Sequence, residues 1–165
     1  MSVRILTTAD APAFRTLRLR ALLEHPDAFT SSYEEDVRKA IGATEQRIAG
    51  GGNVFWGTFV DGEIRGMIGL TREPRAKNRH KADIVAMYVV PEFGRRGLGR
   101  ALLQAAIQHA RSELALEQLV LTVTRSNTGA AELYRDAGFN TFGMEPRAIK
   151  VDDAYHDKEH MILFL

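Results

Sequence analysis

The sequence predicts an α/β protein whose strands form one sheet of mixed direction, and three observations carry that expectation. Strand-like runs alternate with segments whose apolar residues recur at helical spacing, the pattern of a sheet flanked by helices. Asp61-Gly62, a dipeptide suited to the tight turn between antiparallel strands, joins two β-rich runs. The run Ala82 to Val90 is apolar on both faces: Ala82, Ile84, Ala86, Tyr88 and Val90 on one, Val85, Met87 and Val89 on the other. It should therefore be covered on both sides, as a central strand.

In chain order, Val3 to Leu6 reads as a short strand, and Asp10 can cap a helix with the stripe Phe14, Leu17, Ala21 and Leu22. Arg15, Arg18 and Arg20 fall on its wet side. Pro26 and small polar residues make His25 to Ser32 a loop, which leads to a weaker helical segment from Tyr33 to Ala49 that Gly50, Gly51 and Gly52 stop. Asn53 to Val60 and Glu63 to Thr71 are the strands of the hairpin. Arg72 to His80 is a basic loop before the central strand.

Beyond Gly99, the residues Leu102, Leu103, Ala106, Ile107, Ala110 and Leu114 mark a helix packed on the sheet. Leu119 to Val123 is the next strand. Thr128 to Ala137 is a short helix with the stripe Ala130, Leu133, Tyr134 and Ala137, and Gly138 stands where left-handed helix caps prefer glycine. Phe139 to Val151, interrupted at Pro146, and His160 to Leu165 are the last strands. With no internal repeat or linker, residues 1–165 are expected to form a single domain.

Composition narrows the function classes. The chain has no cysteine, which excludes disulfides, thiolate metal sites and a cysteine nucleophile, and no metal site is expected. With 22 Lys plus Arg against 21 Asp plus Glu, the net charge of +1 offers no global attraction for nucleic acid or anionic membrane. Neither a signal peptide nor a membrane helix is read at the start, and the expected location is the cytoplasm. An anionic ligand must be held by a local cluster.

That cluster is the turn Pro91 to Gly99, between the apolar strand and the helix that follows. There, free backbone N–H groups and a helix dipole converge. Gly97 and Gly99 leave out the β-carbons that would hold a phosphate away, and Arg95, Arg96 and Arg100 add positive charge. A turn that merely needs positive φ would also select glycine. A nucleotide P-loop would need Lys then Ser or Thr after Gly99, where Arg100 and Ala101 stand, and a dinucleotide fingerprint would need Gly or Ala where Leu102 stands. A pyrophosphate in another context is the natural guest.

The run MYVVPEFGRRGLGRALL (Met87 to Leu103), followed by a strand, Asn127 and AAELYRDAGF (Ala130 to Phe139), resembles the GNAT superfamily of N-acetyltransferases. The likeness covers roughly residues 53–142. The family pattern is Gln or Arg, two residues, Gly, one residue, then Gly or Ala. Gly97 and Gly99 meet its last two positions, while Gly94 takes the first, with the arginines displaced to Arg95 and Arg96.

The resemblance implies a mostly antiparallel sheet of about six or seven strands, splayed where acetyl-coenzyme A (acetyl-CoA) binds as cosubstrate. By resemblance, the coenzyme would be held by Met87, Tyr88, Val89, Val90, Gly94, Arg95, Arg96, Gly97, Leu98, Gly99, Arg100, Ala101, Asn127, Ala130 and Tyr134. Asn127 is equally suited to cap the next helix. Transfer to an amine needs an oxyanion donor near Met87 or Tyr88, an acid for the departing thiolate, and a neutral amine. Tyr134 matches the acid and Asp83 is the candidate base, with Glu34, Glu35 and His80 as rivals. The acceptor site would draw on Phe29, Ser31, Tyr33, Glu34 and His80, bordered by the segments 147–155 and 156–160. The acceptor could be a peptide amine, amino acid, polyamine or xenobiotic, and the protein a monomer or homodimer. A coenzyme-binding regulatory module without turnover, or an interaction domain that binds no coenzyme, are the competing classes.

Overall fold

The computed structural model describes residues 1–165. Strand β1 (Ser2–Ile5) leads through a 3-10 turn, Thr8–Asp10, into helix α1 (Ala11–Glu24). Asp10 closes that corner by accepting Arg4 at 2.7 and 2.8 Å and the Thr7 N–H at 2.8 Å. The expected helix 33–49 is broken in two, α2 (Tyr33–Asp36) and α3 (Ile41–Ala49). Ser32 and Glu35 form a capping box on α2, and Ala40 turns extended before α3. Between them the Val37 and Lys39 carbonyls are taken by Arg15. Tertiary contacts thus overrode a weak helical pattern.

The hairpin β2 (Asn53–Val60) and β3 (Glu63–Arg72) turns at Asp61 and Gly62, with φ of 52° and 81°, as the dipeptide predicted. Then come β4 (Lys81–Val89), α4 (Leu98–Ser112), β5 (Gln118–Thr124), α5 (Thr128–Asp136), β6 (Asn140–Val151) and β7 (Ala154–Phe164). The last strand begins earlier than its apolar run because ladder bonds to β5 and β6 recruit its polar half. The interruption near Pro146 is a register shift between Glu145 and Ile149, with Arg147 at φ 52°.

All seven strands form one sheet in the order β1-β2-β3-β4-β5-β7-β6, with β4 central. Only the β4–β5 pair is parallel, and it is joined just at Lys81–Gln118, Ala82–Leu119 and Asp83–Val120. Beyond Asp83 the two strands part. The resemblance implied a splay of this kind.

Each face of the sheet has its own core. Helices α4 and α5 cover one, with Leu102, Leu103, Ala106 and Tyr134 against Trp56, Ile68, Leu119 and Met161. Helices α1 and α3 cover the other, with Phe14, Leu17 and Ile48 against Phe55, Met67 and Tyr88. Phe14 meets Phe55 edge-on at 5.3 Å. Arg18 is not on the wet side of α1: it is 6% exposed and paired to Asp36 of α2 at 3.4 Å.

Strand β4 changes faces midway. Gly69 pairs with Val85 but Met67 with Tyr88, so β4 carries one extra residue, and Ala86 there has φ 55°. Ala82 and Ile84 pack under α4, whereas Ala86, Tyr88 and Val90 pack under α1. Asp83 keeps the face of Val85, but Met87 is moved to the opposite face. Strict alternation would put all three together.

Candidate active site

The parted strands open a cleft made of two adjoining cavities. The larger, about 800 Å³, is walled by Met87, Tyr88 and Val89 of β4, by Gly94, Arg95, Gly97, Leu98, Gly99 and Arg100, and by Asn127 and Ala130 of α5. The smaller, about 240 Å³, lies in the wedge, where Ile84 to Met87 face Thr122 to Thr124. Ala28, Phe29, Met87, Asn127 and Ala130 line both, so the two adjoin.

At the outer end, Gly97 is the N-cap of α4 with φ 81°, so the turn does require glycine there. Gly99 has a different reason: a β-carbon would come within 3.1 Å of the Met87 methyl group and 3.4 Å of Leu133. The first rung of α4 is the Ala101 N–H to the Gly97 carbonyl at 2.9 Å, which leaves the N–H groups of Leu98, Gly99 and Arg100 without helical acceptors. Arg95 and Arg100 join that cradle. Arg96 instead stacks on Phe93 at 4.8 Å, Val90 is buried under α1, and Ala101 is one turn inside the helix, so these three do not wall the cavity.

Midway, the edge of β4 that faces β5 is free of strand partners from Ile84 onward. An extended chain could add to it by main-chain hydrogen bonds. Asn127 borders this stretch and also caps α5, accepting the Ala130 N–H at 3.3 Å. Both readings of that residue therefore have a physical basis.

At the inner end, Tyr134 walls the smaller cavity, with its ring edge-on to Phe139 at 6.0 Å. Burial raises its pKa, so the phenol keeps its proton at neutral pH. Asp83 sits at the closed end of the wedge and walls neither cavity, although Val85 on its face does. Burial is the first cause raising the Asp83 pKa; Lys81 opposes it.

Of the expected acceptor residues, Phe29 and Ser31 reach the cleft while Tyr33 and Glu34, held in the capped turn α2, do not. His80 lies at the far, zipped end, where its carbonyl accepts the Glu117 N–H at 2.8 Å. From the segments 147–155 and 156–160, only Lys158 arrives.

Several wall residues escaped the sequence reading: His25, Asp27, Ser126 and Gly129 in the larger cavity, Arg18 and Arg47 in the smaller. Ser126 and Gly129 adjoin Asn127 and were findable by proximity. The arginines were not, because a helix pattern cannot say which side another helix will cover.

Residues 18–139 match the acetyltransferase (GNAT) family. The N-alpha-acetyltransferase RimI of Mycobacterium tuberculosis is 30% identical over 115 residues, 68% of this chain and 70% of that protein. Mycothiol acetyltransferase of Thermobispora bispora is 29% identical over 143 residues, 82% of this chain, yet this chain spans only 45% of it. The chain likewise spans 22% of the Bacillus subtilis UPF0157 protein YqkA, at 35% identity over 85 residues and 52% of its own length.

Among solved structures, a GNAT-family acetyltransferase of Streptococcus pneumoniae superposes with a TM-score of 0.85 at 24% identity over 99% of both chains. Salmonella typhimurium yncA, solved with its cofactor acetyl-CoA, has a TM-score of 0.83 at 22% identity, covering all of this chain and 94% of its own. These two likenesses concern the fold. With the glycine cradle, the parted parallel strands and the helix bearing Tyr134 all inside the matched span, this chain belongs to the GNAT family of acetyltransferases.

Proposed function

We propose that the protein transfers the acetyl group of acetyl-CoA to a primary amine, of a small molecule or a peptide, by direct attack within a ternary complex. One observation carries the reading: a single cleft runs from the unpaired amides of α4, along the open edge of β4, to Tyr134. The pyrophosphate fits the Leu98 to Arg100 amides with Arg95 and Arg100 beside them, and the pantetheine arm fits the strand edge. The family match and the acetyl-CoA held by the Salmonella protein support the same coenzyme here.

The amine nitrogen attacks the thioester carbon, the carbonyl oxygen takes negative charge near the Met87 and Tyr88 backbone, and the C–S bond breaks. Tyr134 gives its proton to the leaving sulfur. Asp83 takes the ammonium proton through water, since its face is that of Val85, two residues and about 7 Å along the strand. No metal has a part in this scheme, and the setting we propose is the cytoplasm. No helix is long and apolar enough to cross a membrane.

The first prediction tests the whole reading. Acetyl-CoA should raise the melting temperature, and amines should release free coenzyme A thiol in its presence. Tyr134→Phe should keep the thermal shift while turnover falls by roughly ten- to a thousandfold, at the low side of positioned acid catalysis because a thiol of pKa about 8.5 is already a tolerable leaving group. A shift with no thiol release from any amine would favour a regulatory coenzyme-binding module instead.

A further inference from the structure

We infer that the amine acceptor carries an oxyanion, a carboxylate or phosphate-type group on the same small molecule, which the inner cavity binds through Arg18, Arg47 and Lys158. This rests on the acetyl transfer proposed above and names its substrate class. The inner cavity has three cationic side chains in its wall and not one Asp or Glu. They come from three separate elements, α1, α3 and β7, so no single helix pattern accounts for their meeting.

Two of the three make no contact ion pair, and the carboxylates that act on them, Asp36 on Arg47 and Glu145 on Lys158, do so from farther off. Arg18 is paired with Asp36, but Arg47 and Lys158 make none of the chain's ion pairs. Lys158 is 7% exposed, and its one hydrogen bond goes to the neutral Thr30 hydroxyl at 2.8 Å. Arg47 lies over the Phe55 ring at 5.2 Å. Asp36 is already shared between Arg18 and Lys39, at 2.6 Å from the latter.

A charge taken from water without a partner is costly, so an oxyanion that enters a cavity walled by such charges gains what the missing partner would have supplied. The strain registers in the groups themselves. Burial first, then the Arg47 charge, holds the Arg18 guanidinium below its ordinary value against the pull of Asp36, and burial lowers Lys158 against that of Glu145. An incoming oxyanion would relieve all three and accept their N–H donors. The volume of about 240 Å³ suits a small acceptor or the end of a larger one. A polyamine would meet repulsion there.

The test uses matched probes: amino carboxylates and aminoalkyl phosphonates, against their neutral amides or esters and against a diamine. Thiol release from acetyl-CoA gives kcat/KM. Calorimetry with the same compounds on protein saturated with coenzyme A gives binding without turnover. Anion-bearing amines should exceed their neutral counterparts by about tenfold or more, because the neutral analogue leaves the buried Lys158 and the half-buried Arg47 unpaired. Arg47→Gln and Lys158→Gln should each pull that ratio toward one, and Lys158→Arg should keep it.

The ratio of carboxylate to phosphonate identifies which oxyanion is used. A preference for neutral or cationic amines, or a ratio unmoved in both Gln variants, overturns the inference. If no amine is turned over, the transfer reading fails alone. Calorimetry then decides this one, since loss of anion binding in the variants supports it and absence of anion binding by the parent defeats it.

Discussion

Asp83 is penalised as an anion in the fold, and that has an opposite sign for stability and for chemistry. Burial raises its pKa, Lys81 only partly offsets this, and Glu73 adds to it. The folded chain therefore holds this proton more tightly than the unfolded chain, so its contribution is fully present below the unfolded value of about 4 and is lost as pH rises through the folded one. Asp83→Asn should accordingly raise the melting temperature at neutral pH, with the gain shrinking toward about pH 4. If Asp83 takes the amine proton, the same variant loses turnover most where the amine is protonated, and raising the pH recovers it. A pH–rate profile identical to the parent's would remove Asp83 from the mechanism. At this scale the sequence singled out the residue and its strand, but the bulge at Ala86 separated it from Met87. That bulge is set by pairing with β3 and leaves no mark in a run that is apolar on both faces.

At the start of helix α5 one side chain stands at both an element and the cleft. Asn127 caps it and also borders the cleft, and substitutions can separate the two duties. Asn127→Ala should cost about 1 kcal/mol of stability, as lost caps do, and weaken acetyl-CoA binding. Asn127→Ser restores a cap acceptor without the amide, so chemical denaturation should return toward the parent while the calorimetric affinity stays low. Recovery of both in the serine variant would leave Asn127 as a cap alone. The turn before α4 was readable in advance because its requirements are local: positive φ at Gly97 and free amides at a helix start. The segment 33–49 was not, because Arg15 and Arg18, far away in sequence, decide where that backbone turns.

The whole molecule is a sheet zipped at one end of its only parallel pair and open at the other. Acetyl-CoA in the gap would supply the missing strand partner. Hydrogen exchange should then slow most at the amides of Ile84 to Val89 and Leu98 to Arg100, and least at the β1–β2 ladder, which β3 and β4 separate from the gap. Equal slowing throughout the chain would mean global stabilisation without occupation of the gap. The sequence by itself determined the order of the strands, the hairpin at Asp61-Gly62, the centrality of β4, the glycine turn before α4 and the family, since each depends on neighbours within a few residues or on one apolar stripe. Tertiary structure alone decided that β4 changes face at Ala86, that Tyr33, Glu34 and His80 stand outside the cleft, and that Arg18, Arg47 and Lys158 meet inside it. Those outcomes depend on which surfaces of distant segments press together, and charge brought together by packing has no periodicity in the chain to announce it.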